Sequence, residues 1–196
     1  MKPILLDFPH EFETEHLYIR CPIPGDGAAV NAAIVESQEA LKPWMPFADP
    51  LPAVEDTEEF VRRGHAHFLL RENLPMLMFH RDRRTFIGST GMHRINWDIG
   101  RFEIGYWIRT SETGQGFMTE GVAGLVAFAA EHLKAQRIEI RCDPRNTRSR
   151  RVAERAGFHL EGTLLRDDPD VNGDPSSTAI YAKLRLDDGT WGYPQE

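Results

Sequence analysis

Residues 102–162 constrain this chain more than any other stretch. They comprise an aromatic strand FEIGYWI (102–108), a turn RTSETGQGFMTEG (109–121), a helix VAGLVAFAAEHLKA (122–135), a second strand RIEIRCDP (137–144) and a second helix NTRSRRVAERAGF (146–158). Two strands joined through a helix of this length are expected to lie parallel in one sheet. The Gly114-Gln115-Gly116 turn opens the first helix. There the leading backbone N–H groups have no intrahelical acceptor and the helix dipole presents its positive end, so the turn suits phosphate oxygens.

The rest of the chain supplies partners for that unit. EHLYIRCPI (15–23) alternates as a strand and ends in a Pro-Gly break. GDGAAVNAAIVES (25–37) predicts a short helix with Asp26 as its cap and Val30, Ala33 and Ile34 as the buried stripe. LKPWMPFADPLPA (41–53) has four prolines and two large aromatics, the mark of a constrained loop. DTEEFVRRGHAHFLLRE (56–72) is a helix with an acidic first turn. LPMLMFHR (74–81) and RTFIGSTGMHRI (84–95) form a hairpin, and NWDIG (96–100) turns into FEIGYWI to complete a three-strand meander. A helix over about 116–134 carries Val122, Leu125, Val126, Ala129 and Leu133 on one face. FHLEGTLLR (158–166), a polar loop at 167–176 and STAIYAKLRL (177–186) finish the chain. The pattern is α+β, a largely antiparallel sheet with one parallel crossover.

Composition narrows the function classes. The chain has 196 residues, 41% of them apolar and 27% charged, with no linker-like or repeated segment, which predicts one domain over 1–196. A net charge of -7 disfavours nucleic acid as a partner. No basic-then-apolar leader and no apolar run near ~18 residues occurs, so the expectation is a cytoplasmic protein without a membrane partner. Cys21 and Cys142 are expected as buried, reduced thiols. His65 and His67 stand two apart on a helix and face different ways, so no metal site is expected.

The glycine turn fits neither common phosphate motif. A P-loop requires Gly-Lys-Ser/Thr, but Phe117 follows Gly116. A dinucleotide fingerprint requires a third Gly where Thr119 stands, and it opens directly off its strand, whereas residues 109–113 intervene here.

Taken together, EIGYWI, the GQGFMTEG helix start, RIEIRCDPRNTRSRRVAERAGF, EGTLLRD and LKPWMPFA resemble the GCN5-related N-acetyltransferase (GNAT) superfamily, and within it the RimJ/RimL-type ribosomal-protein N-terminal acetyltransferases. That family's fuller motif often carries Gln or Arg where Ser111 stands. The resemblance implies a single-domain fold with a mixed, mostly antiparallel sheet of about seven strands, a splayed parallel pair and helices on both faces. It implies acetyl-CoA as cosubstrate, no metal, and an amine acceptor that is a protein N-terminus or a small molecule, in a monomer or homodimer. A non-catalytic CoA-binding module and a dinucleotide-dependent oxidoreductase are the rival classes.

Site roles follow from the same resemblance. Gly114, Gln115, Gly116, Phe117, Met118 and Thr119 would present amides to the pyrophosphate, and the backbone of Ile108 and Arg109 would pair with the pantetheine arm. Asn146 would contact the phosphopantetheine portion, and an arginine among Arg145, Arg148, Arg150 and Arg151 would reach a phosphate. Asp168, from the resemblance, and Glu103, from its place at the start of the central strand, are the candidate proton acceptors; Ser149 is the candidate donor to the leaving sulfur or a pantetheine contact, with Tyr181 a weaker donor. Trp44, Met45 and Phe47, with His93 nearby, would line the acceptor pocket.

Overall fold

Alternation along the strands sorts the core into two layers on either side of one sheet. The computed structural model describes residues 2–194. Strands β1 (Glu11–Glu13) and β2 (Leu17–Arg20) precede helices α1 (Gly27–Leu41) and α2 (Val54–Leu70). The meander β3 (Leu74–His80), β4 (Phe86–Asn96) and β5 (Arg101–Ile108) follows, then α3 (Phe117–His132), β6 (Arg137–Cys142) and α4 (Thr147–Arg155). A hairpin of β7 (His159–Pro169) and β8 (Pro175–Arg185) and a short β9 (Trp191–Gly192) complete the order. Met76 and Met78 of β3 pack with Val122, Leu125 and Ala129 of α3. Their neighbours Leu77 and Phe79 join Val30, Ala33 and Ile34 of α1 and Val61 of α2 in a second cluster.

The sheet runs β1-β2-β3-β4-β5-β6-β8-β7, with β9 on β8, so two short strands extend the expected seven. Every pairing is antiparallel except β5 with β6, and α3 provides the crossover that a parallel pair demands. That parallel pair is short: Arg101, Phe102 and Glu103 stand opposite Arg137, Ile138 and Glu139, and the register ends there. Beyond it each strand keeps its outer partner, β5 as far as Ile108 against Gly88 and β6 as far as Cys142 against Ala179. A wedge therefore opens within the sheet.

Three local expectations are revised. Asp26 does not cap α1; Arg20 holds its carboxylate bidentately at 2.7 and 2.6 Å. Glu58, 31 residues beyond Gly27, accepts the amides of Gly25 and Gly27 at 2.8 and 2.9 Å and so satisfies the α1 start instead. The polar stretch 167–176 is mostly strand, because ladder pairs Asp168–Ser176 and Pro169–Pro175 continue past a bulge and leave only a tight turn at the tip. Cys142 is half-buried rather than buried, whereas Cys21 is buried; both are free thiols.

The segment after β5 is anchored from α1. Glu36 accepts from the Arg109 guanidinium and from the amide of Ser111 (2.9 Å), and Ser37 Oγ accepts the amide of Thr110 at 2.8 Å. The hydrogen bonds from Arg109 hold the Glu36 carboxyl at about 2, below its ordinary 4.5. An unfolded chain takes up this proton near pH 4.5 while the folded one stays charged, so the anchor stabilises the fold above that pH and fades as pH falls through about 2. Glu36 is solvent-accessible, so screening limits the effect to about 1 kcal/mol. Glu36→Gln should lower Tm by roughly 2–4 °C at pH 7 and have little effect near pH 2, a comparison that thermal melts at the two pH values would make.

Candidate active site

A groove enclosing about 940 Å³ lies at the mouth of the wedge. Trp44, Met45, Phe47, His93, Glu103, Asn146, Ser149 and Asp168 line it together, although they come from five separate segments of the chain. Ile108, Arg109, Arg150 and the 114–119 turn are not part of its lining. The expected site residues thus fall into a central groove and a separate turn beyond the end of β5.

At the turn, Gly114 (φ 79°) and Gly116 (φ 88°) adopt left-handed backbone that glycine enters without a Cβ penalty. A Cβ built at either position would meet no heavy atom within 4 Å, so the space beside both α-carbons is open. Met118 is buried, and Phe117 sets its ring edge-on to His80 at 5.1 Å. Both side chains are committed to packing, and what this helix start offers outward is main chain. Gln115 turns back to Glu112 at 3.2 Å.

Ile108 and Arg109 differ in what they can offer. The Arg109 amide donates to the Ile87 carbonyl of β4 at 2.9 Å, and its carbonyl accepts from Glu112. By strand alternation the polar groups of Tyr106 and Ile108 then point the other way, into the wedge. Only Ile108 of the expected pair faces the opening.

The α4 side of the groove carries hydroxyls. The Asn146 side chain caps α4 by accepting the Ser149 amide at 3.1 Å. Tyr106 places its hydroxyl 3.0 Å from both the carbonyl and Oγ of Ser149. Burial pushes the Tyr106 phenol above its usual range, so it stays protonated and acts as a hydrogen-bond donor. Burial likewise raises the half-buried Cys142 thiol. Tyr181 is buried and occupied, donating to Glu154 and accepting from Arg150, both at 3.0 Å. Arg150 is held there and Arg145 by Asp143 at 2.6 Å, whereas Arg148 and Arg151 have no protein partner among the described residues.

On the opposite face, Glu103 meets His93 at 3.0 Å and Arg94 at 3.5 Å. Asp168 approaches Arg94 at 3.9 Å but is largely solvated. Phe47 and Trp107 face each other at 6.0 Å between ring centroids and build the apolar wall with Trp44 and Met45. Tyr106, Trp107, Gly105 and Arg94 were not singled out from the sequence as site residues. The signal was available: Gly105 and Trp107 share the strand parity of Glu103. Among the described residues no three His, Cys, Asp or Glu side chains converge as metal ligands would.

Residues 16–159 match the Acetyltransferase (GNAT) domain family. The chain is 31% identical over 146 residues to the ribosomal-protein-serine acetyltransferase of Escherichia coli (strain K12), covering 73% of this chain and 80% of that protein. Two solved structures share the fold. The microcin C7 self-immunity acetyltransferase MccE, in complex with acetyl-CoA and AMP, superposes with a TM-score of 0.82 at 20% identity over 87% of this chain and 93% of its own. RimL, the ribosomal L7/L12 alpha-N-protein acetyltransferase in complex with coenzyme A, gives 0.80 at 23% identity over 87% and 95%. The family match spans most of the chain, the fold agrees with it, and the protein belongs to the GNAT family of N-acetyltransferases.

Proposed function

We propose that this protein transfers the acetyl group of acetyl-CoA to the α-amino group at a protein N-terminus. The observation that carries the proposal is the wedge between β5 and β6, with an open glycine turn at the start of α3 just beyond it. An extended pantetheine arm would add to the free edge of β5 at Ile108, as a peptide adds to a sheet edge. The amides of 114–119 would receive the diphosphate, and the free guanidiniums of Arg148 and Arg151 supply cations at the start of α4. The residues present therefore fit the group. Two relatives of the same fold are named with acetyl-CoA or CoA bound, and the Escherichia coli relative is named for a ribosomal-protein serine.

The cosubstrate supplies an activated acyl carbon and a thiolate leaving group. The protein's part is positioning, charge and proton traffic. Trp44, Met45, Phe47 and Trp107 would hold the residue that bears the amine, and Glu103 and Asp168 give that side of the groove its negative charge. An α-amine titrates near 7.7–8.0 against ~10.4 for lysine, so a site with only weakly basic machinery favours the terminus. Holding the amine against the acyl carbon accounts for much of the acceleration. A main-chain donor near Ile108 would meet the negative charge that develops on the acetyl oxygen. Across the groove, Tyr106 spends its one hydroxyl hydrogen on the Ser149 carbonyl, and the Ser149 hydroxyl, 3.0 Å from the phenol oxygen, would turn its own hydrogen from there to the departing sulfur.

Mass spectrometry of a peptide and amine panel incubated with acetyl-CoA tests the acceptor: a peptide with a free N-terminal serine should gain one acetyl group and its N-blocked counterpart none. Preference for a small amine would replace the acceptor, and acetyl-CoA binding without any transfer would identify a binding module. Arg148→Ala with Arg151→Ala should raise the KM for acetyl-CoA about tenfold at low salt, with the gap narrowing as salt screens the charges. Ser149→Ala should lower kcat about tenfold or more with the KM for acetyl-CoA little changed, which steady-state kinetics would show.

A further inference from the structure

Glu103 is poorly placed to receive a proton from an amine. Its side chain is only 11% exposed, and its two oxygens are already met, by His93 Nε2 at 3.0 Å and by an Arg94 guanidinium nitrogen at 3.5 Å. It is well placed to hold an imidazole. His93 and Glu103 stand directly opposite each other in the β4–β5 ladder, so the backbone fixes their pairing. A carboxylate accepts and does not donate, so in the neutral ring Nε2 carries the hydrogen and the lone pair is left on Nδ1.

Gly105 determines where that lone pair lies. A Cβ built there would come within 2.8 Å of His93 Cε1, 3.3 Å of Nδ1 and 3.9 Å of Nε2. The ring therefore rests over the bare Cα of Gly105, with Nδ1 nearer to it than Nε2. Gly105 lies just past Glu103, the last β5 residue paired with β6, so Nδ1 is carried toward the opening of the wedge. The imidazole is 40% exposed, lines the groove, and has no hydrogen bond at Nδ1 among the described residues. A larger residue at 105 would displace it.

We propose that His93 Nδ1 takes the proton from the acceptor amine, with Glu103 as the positioning residue that sets its tautomer and Gly105 as the bare position that seats its ring. The role rests on the acetyltransferase reading above. The attacking nitrogen gives its proton to Nδ1 and its electron pair to a new N–C bond. The C–S bond breaks with its pair leaving on sulfur, which takes a proton from the Ser149 hydroxyl; Ser149 recovers one from water, and the imidazolium releases its proton to water. The carboxylate of Glu103 stabilises that imidazolium while it lasts, as a buried acid does for the histidine of a catalytic triad.

The test uses the full chain, acetyl-CoA and a peptide with a free N-terminal serine. His93→Ala should lower kcat about a hundredfold while the KM for acetyl-CoA stays within about twofold, and added imidazole should restore part of the rate. Glu103→Gln should lower kcat by about tenfold or more, again without moving that KM. Nitrogen NMR of the unaltered protein provides a readout independent of turnover: in the neutral form of the ring, Nε2 should be protonated and Nδ1 bare. A folded His93→Ala protein with kcat within about twofold of the parent, no rescue by imidazole, or a hydrogen on Nδ1 of the neutral ring would overturn the role alone. Transfer to no amine in the panel by the unaltered protein would overturn the acetyltransferase reading and this role with it.

Discussion

The structure depends on a parallel strand pair that is allowed to fail after three residues. Once β5 and β6 part beyond Glu103 and Glu139, the main-chain groups of Tyr106 and Ile108 have no β6 partner on that side. Buried main-chain donors and acceptors do not stay unmet at low cost. The edge therefore has to be wet or filled by a ligand of extended shape. The parting is stable because each strand retains a full antiparallel neighbour, β4 for β5 and β8 for β6. The wedge is a gap between two well-supported half-sheets.

Both ends of the opening follow from this geometry. At one end, the chain leaving β5 is held to α1 through Glu36, Ser37 and Arg109 before it reaches the glycine turn, so the open amides of α3 are presented from a fixed base. At the other, the alternating faces of β5 separate two chemistries. Tyr106 meets the hydroxyl of Ser149 on α4, while Glu103, Gly105 and Trp107 face the imidazole and the aromatic wall contributed by the first half of the chain. A thioester carbon lying along the wedge would have proton donors on one flank and a proton acceptor on the other. That division fits a reaction in which one nitrogen loses a proton and one sulfur gains one.

Local patterning made most of the fold legible. The strand–turn–helix–strand unit, the meander before it and the final hairpin were all visible from alternation, periodicity and turn residues. What escaped depends on contacts distant in sequence. The cap of α1 comes from Glu58, and no local rule picks that over the adjacent Asp26 once Arg20 claims the aspartate. The commitment of Arg150 to Tyr181 is likewise a meeting of two elements 31 residues apart. Strand parity puts Tyr106 on the α4 side of the sheet, but only the divergence of β6 there lets its hydroxyl end on Ser149 in the groove. Glu103 could be placed on the groove face from its strand position, whereas its engagement by His93 and Arg94 required the β4–β5 register. Nothing in the sequence sets Gly105 apart from other strand glycines; the His93 ring packed over it does.

Amide hydrogen exchange with and without CoA tests the central claim most directly, because it reports on the main chain that the wedge leaves unpaired. The account predicts that CoA slows exchange at Ile108 and at residues 114–119, while amides in the interior of β3, which face no opening, change little. Binding of CoA that protects a different region, or that leaves Ile108 and the glycine turn exchanging as before, would contradict it.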